Sequence, residues 1–531
     1  MKKILAFSLA ALMACSAPAN IASAAPDTKT STASVEMKAA KATAISSAED
    51  LKAMEKNPSG SYYLAKDITL PADFSLFKDR EHPFKGQLDG KGHKLIGYTY
   101  NSSVWSETVG ILGYASKAVF KNLSVTGVNI DINKVGGQVG TLVFNAKNCT
   151  FDQIKTSGKI QVKGISTSIG GIINMAENAV IKNCTSDINI TVDVKGTYED
   201  TPYCKVAGIV EIEGGETKKA VLQNCTYKGS IKVNYKPSDE LGGDNIRVAG
   251  IVNLYHGKNP IKNCKNIGAI TCTVADAKEV FPTAANVSGV IGESLGGVDS
   301  CSNAGRITVT CKPVGMGGVN VAGVVLEQAI KEKKLTKSFN TGKITVTTNA
   351  PRSAVVGGVA AVASDIYQCY NKGMVAVNDK SDGGAAVGGV AGRSVEAVEN
   401  CYNTGAVSLS AKGMSFIGGL VGAASVRNAF IRYNYSTGKV TGSGPSKQIS
   451  KGQLLGFYEG SHTAGKRNVM DNYYTRAGKA YGGQDFSWKP YMGTSKKVSS
   501  ITAGNCPKLS SKFWTYSNKY KRMILKNNKE K

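Results

Sequence analysis

The stretch VGGVAGRSVEAVENCYNTGAVSLS, from Val387 to Ser410, decides the fold. A Gly-rich apolar hexad opens it, an Asn-Cys pair punctuates it, and a run alternating apolar with polar residues closes it. Alternation with period two, rich in Val, Ile and Thr, marks a strand with one face inward. The hexad recurs in both directions along the chain. It reads VGILG from Val109, VGTLV from Val139, IGGII from Ile169, and VAGIV from Val206 and again from Val248. VSGVIG from Val287, VAGVV from Val321 and VGGVA from Val356 follow, and IGGLVG from Ile417 and GQLLG from Gly452 lie beyond. The eleven occurrences stand 30 to 42 residues apart.

Between them runs the second half of the repeat: IKNCTSDINITV from Ile181, LQNCTYKGSIKV from Leu222 and IKNCKNIGAITC from Ile261. Looser copies are SCSNAGRITVT from Ser300, KSFNTGKITVT from Lys337 and QCYNKGMVAV from Gln368. One supersecondary unit at a fixed period is the mark of a solenoid. Separate β-sandwiches would need about 100 residues per unit. Short parallel strands wound in rungs fit the spacing, with Asn-x-Gly and Gly-Gly at turns and close backbone approaches. The expected fold is therefore all-β, a right-handed parallel β-helix of about ten or eleven rungs between roughly residues 84 and 466. Residues 45–100 are expected to cap and enter it, with a short helix within 46–60. The repeats fill 101–466, and 467–531 form an aromatic, basic C-terminal cap.

Cysteine finds a place in this scheme. Cys149, Cys184, Cys225, Cys264, Cys301, Cys369 and Cys401 read as one repeat position, with Ser338 in the remaining rung. Rungs about 4.8 Å apart would stack them into an interior ladder of small hydrophobes. Asn148, Asn183, Asn224, Asn263 and Asn400 would stack beside them, amide to amide. Neighbouring rungs come close enough for some disulfides, but buried free thiols are the expectation. A Cys-rich metal site is not expected, because no Cys-x-x-Cys pair occurs.

The first residues point to export. Lys2 and Lys3 precede an uncharged, mostly apolar run from Ile4 to Ala14, followed by Ala22-Ser23-Ala24. That order is a secretory signal over residues 1–25, and the apolar run is too short to span a bilayer. Leu12-Met13-Ala14-Cys15 also resembles a lipobox, which makes Cys15 a candidate for lipidation and a lipid anchor the one expected route to a membrane. Residues 26–44, rich in Ala, Thr, Ser and Lys, read as a disordered tether.

At IGGLVG and NCYNTG the chain resembles bacterial surface and secreted proteins with GLUG-motif repeats. The entry resembles them too, in SGSYYLAKDITL and PFKGQLDGKGHKLIGY, and so does the exit, in NYYT and FWTYSNKYKRMILK. The resemblance spans residues 45–527 and implies an exterior, often adhesin-like protein rather than a chemistry. Some larger proteins with such repeats are IgA-cleaving metallopeptidases, whose zinc site needs His-Glu-x-x-His. His82, His93, His256 and His462 are the histidines here, and none lies in that pattern. His93 reads as a structural cap residue.

Charge suggests a partner. The chain carries a net +26, and 10 of its 65 cations are Arg. A Lys-dominated excess gives a diffuse field for polyanions, whereas specific phosphate or nucleic-acid sites draw on the bidentate Arg fork. From Gly383 to Lys531 there are 22 Lys and Arg against six acids. Tyr473, Tyr474, Trp488, Tyr491 and Trp514 lie in the same stretch and are candidates to stack on sugar rings. The competing reading makes them a cover for the last rung's edge. Together these features point to an extracellular, non-catalytic, adhesin-like protein that binds acidic polysaccharide, with no cofactor or metal. The alternative is a polysaccharide lyase or glycoside hydrolase, which needs carboxylates facing one groove. The acids Glu199-Asp200, Asp239-Glu240 with Asp244, and Asp382 read instead as solvated loop residues.

Overall fold

A computed structural model describes residues 42–530, apart from 105, 135, 197–202, 238–244, 276–283, 313–316, 329, 331, 351–352, 426–429, 446–447, 460–468 and 483–492. It is a β-solenoid of about ten turns, 56% strand and 2% helix. Each rung contributes to three stacked sheets. In one rung the strands Ile173–Glu177 and Val180–Lys182 lie in the first sheet and Thr185–Lys195 in the second. The third sheet is built from the Gly-rich segments, as in Ser166–Gly170. Among the described residues every strand pairing is parallel except Trp514–Ser517 with Arg522–Leu525.

Register explains the repeat. Ile270, Ile307, Ile344, Val375 and Val407 pair in turn, as do Val248, Val287, Val321, Val356 and Val387. Each inward position thus stacks on its own copy, and the apolar positions fuse into one continuous core. The hexad marks the sharp bend where the third sheet turns into the first. At Gly418 an added Cβ would lie 1.9 Å from Val421 O, and at Gly389 2.2 Å from Gly419 O. The place of Gly389 is held by glycine in the rungs of Gly208, Gly250, Gly289, Gly323 and Gly358 as well, each packed on the next rung's backbone, whereas the place of Gly418 also takes Ala207, Ala249, Ser288 and Ala322.

The entry begins earlier than the sequence suggests. Thr43–Ile45, whose first two residues composition places in the tether, is already a strand paired with Tyr62–Leu64, which pairs with Gln87–Asp89, and that strand in turn with Val119–Lys121. The stretch read as an entry cap is thus part of the stack. The short helix is present as Ala48–Ala53. Ser47 Oγ accepts from Asp50 N at 3.1 Å and Asp50 Oδ2 accepts from Ser46 N at 2.8 Å, a reciprocal N-terminal cap.

The cysteine ladder needs one correction. Cys184, Cys225, Cys264, Cys301, Ser338, Cys369 and Cys401 do share a position, each following a residue of positive φ such as Asn183 (58°) or Asn263 (54°). Cys149 does not. Thr150 pairs with Val119 and Val180, so Cys149 matches Ala118 and Ala179, whereas Ile154 holds the place before Cys184. Asn148 therefore belongs to that other corner as well. Exposed amides do link Asn263 to Asn224 (3.1 Å), Asn224 to Asn183 (3.0 Å) and Asn183 to Asp152 (2.8 Å). Asn400 instead accepts from Trp514 Nε1 at 3.0 Å.

A second amide ladder runs inside the solenoid. Asn266, Asn303, Asn340, Asn371 and Asn403 are fully buried, and each Nδ2 donates to the next Oδ1 at 2.8 Å. The same amides bond the Asn-x-Gly turn, as when Asn340 Nδ2 donates to Gly342 O at 2.9 Å. The Asn-x-Gly signal was legible as a turn, but its burial shows only in the structure.

Two outcomes test this interior. Asn340→Ala should lower unfolding stability by about 2–4 kcal/mol, because it leaves buried amide and turn groups of Asn303, Asn371 and Gly342 unpaired. Asn224→Gly, on the exposed ladder at φ 56°, should change it by less than about 1 kcal/mol, both read from urea midpoints.

The eleven cysteines from Cys149 to Cys506 are free and buried. Burial pushes the thiols of Cys149, Cys272 and Cys311 up to about 12 and Cys506 to about 11. They should resist thiol reagents until the protein unfolds. Unfolded thiols ionise near pH 8.5, so above about that pH the unfolded chain binds fewer protons than the native one. Stability should then fall with rising pH through about pH 12, by about 1.4 kcal/mol per unit for each such thiol. Denaturant midpoints from pH 7 to 11 measure the slope.

Candidate functional site

Tyr370, Tyr402, Tyr435 and Tyr473 each sit beside an inward residue, such as Asn371 or Asn403, so alternation aims them outward. Phe339, Tyr370, Tyr402 and Tyr435 stack with centroids 4.7–4.9 Å apart and ring planes within 11°. Yet Tyr370, Tyr402 and Tyr435 are fully buried, because residues 498–530 fold back along the flank of the solenoid and cover them. Trp514 lies over Tyr435 (5.4 Å) and Tyr402 (6.0 Å). Tyr435 OH donates to Met523 O at 2.8 Å, and Asn528 Nδ2 reaches Gln368 O at 2.9 Å. The C-terminal segment is thus a lateral strap across several rungs rather than a plug on the last one.

This placement corrects the aromatic candidates. Trp514 is 1% exposed and Tyr473 2% exposed, so neither ring offers a face to a sugar. Tyr474 stands in register with Ser436, at the inward position, and packs on the core. Trp488, Tyr491 and Cys15 lie outside the described residues, as do Glu199, Asp200, Asp239, Glu240, Asp244 and His462. Asp382 is exposed. His93 Nδ1 is 3.3 Å from Asp67 Oδ1, which also accepts from Lys94 N, in keeping with a capping role.

The strap's outer surface is cationic. Residues 496–530 contain nine Lys and Arg and a single acid, Glu530. Glu530 turns inward: its carboxylate accepts from Tyr402 OH at 2.8 Å and Arg522 Nη2 at 2.5 Å, and Lys372 Nζ lies 3.3 Å away. Lys508, Lys512, Lys519, Lys521, Lys526 and Lys529 remain exposed. Tyr516 is 45% exposed, and Lys519 Nζ lies 5.1 Å over the half-buried ring of Tyr520. Tyr516 and Tyr520 belong to the same aromatic stretch but are not among the five candidates.

A second polar feature carries no mark in the composition. In the outer corner between the third and first sheets, the hexad's final glycine packs against backbone; a Cβ on Gly422 would lie 2.5 Å from Val387 N. By register, Asn174, Glu211 and Asn253 take this place in three consecutive rungs. All three are buried, Glu211 at 3% exposure. Asn174 Nδ2 donates to Ser168 O (2.8 Å) and Oγ (2.9 Å), and Ser168 Oγ donates to Glu211 Oε2 at 3.3 Å. Asn174 Oδ1 is buried without a hydrogen bond, which costs about 1–3 kcal/mol, whereas the Asn253 amide bonds the Glu211 carboxyl. Burial pushes the Glu211 carboxyl up; Lys205, Ser168 and Arg247 pull it back. Arg247 Nη1 meets Glu293 Oε2 at 3.2 Å across the corner. The last glycine of the hexad is also replaced by Phe144, Leu326 and Ala361; the signal available in sequence was a polar replacement in three consecutive hexads, IGGIIN, VAGIVE and VAGIVN. Among the described residues no three His, Cys, Asp or Glu gather as a metal site, and no helix is long and apolar enough to cross a membrane.

No family model matches the chain. It is 26% identical over 239 residues to the immunoglobulin A1 protease of Streptococcus pneumoniae serotype 4 (strain TIGR4), covering 41% of this chain and 10% of that protein. The immunoglobulin A1 protease of Streptococcus pneumoniae strain R6 is 26% identical over 237 residues, 41% of this chain and 11% of that one. Halomucin of Haloquadratum walsbyi is 28% identical over 163 residues, 27% of this chain and 2% of halomucin. The chain thus spans about a tenth of the length of the two proteases, and the likeness is to a segment of each.

Trp514→Ala tests the strap. It removes a buried ring and should weaken strap docking by about 3–5 kcal/mol. Limited proteolysis should then release the C-terminal segment early while the far-ultraviolet spectrum of the solenoid persists. Cleavage no faster than in the parent protein would show that the strap is held elsewhere.

Proposed function

We propose that the chain is an exported, extracellular, non-catalytic repeat protein of the GLUG-like kind, adhesin-like in role. It binds acidic polysaccharide or another anionic surface polymer. One observation carries the reading: the strap presents exposed lysines on a rigid flank while its only acid is turned inward. The polymer lies along the strap, held by Lys508, Lys512, Lys519, Lys521 and Lys526. Tyr516 and Tyr520 offer ring surface in place of Trp514 and Tyr473. Export follows from the signal at residues 1–25, and lipidation at Cys15 would tether the molecule to a membrane surface. The partial likenesses to halomucin and to the immunoglobulin A1 proteases support the proposed placement outside the cell.

Exposed charges act through a field screened within about 8 Å at physiological salt, so the interaction is salt-sensitive. Replacing Lys512, Lys519, Lys521 and Lys526 together with Ala should weaken binding to heparin about tenfold at 0.15 M salt, each contact contributing on the order of 0.2–1 kcal/mol. Elution from heparin resin should shift to lower salt by the same cause. Unchanged elution, or no retention of the parent protein, would remove the strap as the binding surface.

A further inference from the structure

The second sheet turns an open face to solvent, and from Thr271 to Ser443 that face follows a pattern of its own. One outward column runs in register from Thr271 through Thr308, Thr345, Ala376 and Ser408 to Thr441. The column two residues further along each strand, from Thr273 to Ser443, holds only Thr, Ser and Asn378. Both columns are half-buried or exposed. Neither carries a charge, in a chain of net +26, although the two preceding rungs place Asp193 and Lys232 there.

Cations stand on both sides of this floor. Arg306, Lys343 and Lys439 precede the first column, and Lys312, Lys380 and Lys412 follow the second, all six exposed. None of them forms an ion pair among the described residues. Asp379, beside Lys380, is buried on the inward side, and Asp382 lies in the turn beyond. Arg306 stacks on Lys343, and Lys380 on Lys412. Like charges directly opposite destabilise neighbouring strands, and no acid relieves these steps as it does in the first sheet.

Short side chains between long ones leave a trough. Around Thr345, Asn378 and Ser410 it encloses about 360 Å³. Hydroxyls and an amide along its floor both donate and accept hydrogen bonds, and each bank stands roughly 6.6 Å to the side, two residues along a strand. Cations call for acid groups and the floor for hydroxyls; a linear acidic glycan carries both. Rungs repeat about every 4.8 Å, close to the length of one sugar unit in an extended chain.

We infer that this trough binds a linear acidic glycan laid along the solenoid axis. Its hydroxyls meet the Thr and Ser floor, and its acid groups meet Arg306 and Lys343 on one side and Lys380 and Lys412 on the other. The site rests on the reading that the protein meets acidic polymers, but it uses no residue of the strap.

Calorimetry on the full mature protein tests it, with hexasaccharides of β-1,4-mannuronate, α-1,4-galacturonate and heparin as probes and cellohexaose as the neutral control. At least one acidic probe should bind with sub-millimolar affinity at low salt, and the neutral one should not. Replacing Arg306, Lys343, Lys380 and Lys412 together with Ala should weaken that probe at least tenfold. The fourfold lysine variant of the strap removes the same charge and should weaken it less than threefold. Ser408→Tyr fills the floor at unchanged charge and should also weaken it at least tenfold, which loss of a diffuse field cannot imitate. Should that variant fail to fold, Ser410→Tyr, at an exposed position of the same floor, carries the same expectation. Absence of acidic binding, or parent-like binding by the folded bank or floor variants, overturns the trough as a site. Equal losses in the two fourfold variants overturn it as well, since they mark net charge alone. Loss in the strap variant only assigns the glycan to the strap, whereas loss in the trough variants only, with heparin elution unchanged by the strap lysines, removes the strap and leaves the trough.

Discussion

Parallel, in-register hydrogen bonding between rungs forces each residue to lie on its own counterpart about 4.8 Å away, and the rest of the molecule follows from it. Inside, this selects side chains that tolerate a copy of themselves. Val and Ile interlock, Cys serves as a small hydrophobe, and an asparagine amide both donates and accepts, so it can pair with an identical amide indefinitely. Outside, like charges would repel, and the first sheet alternates them. Asp89, Lys121, Asp152 and Lys182 follow one another in register, with ion pairs of 3.5 Å between Lys121 and Asp89 and 3.3 Å between Lys182 and Asp152. Lys147 with Glu177 and Arg432 with Glu399 repeat the device. Such exposed pairs add little stability each; their value lies in avoiding a stacked repulsion.

The same constraint explains what could be read from the sequence. A position that must match itself every 30 to 42 residues leaves a visible period, so the solenoid, its strands and the buried thiols were all legible. The misplacement of Cys149 has a physical source. Asn148-Cys149-Thr150 and Asn183-Cys184-Thr185 are the same tripeptide, but they turn different corners. Both corners require a residue at positive φ, then a small buried side chain, then the first residue of a strand. The local demands are identical, so the local sequence is too, and only pairing between rungs separates them. Asn178-Ala179 meets the first corner with alanine in place of cysteine.

The aromatic tail was misread for a related reason. Nothing in Phe513-Trp514-Thr515-Tyr516 says which side meets protein, because the partner surface is a tyrosine stack spread over distant rungs, from Tyr370 to Tyr435. The outward row Phe339, Tyr370, Tyr402, Tyr435 was present in the repeats, and outward aromatic residues stacked in one line need a cover. That row was the available clue to the strap. Once Trp514 and Met523 satisfy it, the lysines between them have only solvent to face, which turns a packing element into a charged surface.

Departures from self-matching then become informative. Across most of the outer surface the register is either alternating in charge or uncharged, as along Thr271, Thr308 and Thr345. At the corner near Glu211 both habits fail. Lys205 stacks on Arg247, and Glu293 on Glu327, two like-charged steps on facing walls. Glu293 raises the Glu327 carboxyl further than burial alone, and Arg247 pulls it back. One ion pair across the corner offsets part of this repulsion; beneath it the Asn253 amide bonds the Glu211 carboxyl, and Asn174 Oδ1 is left over. A solenoid can accept such a local penalty because its core stacks continuously above and below the site, so stability is shared along the axis while the outer face of any one rung is free to change.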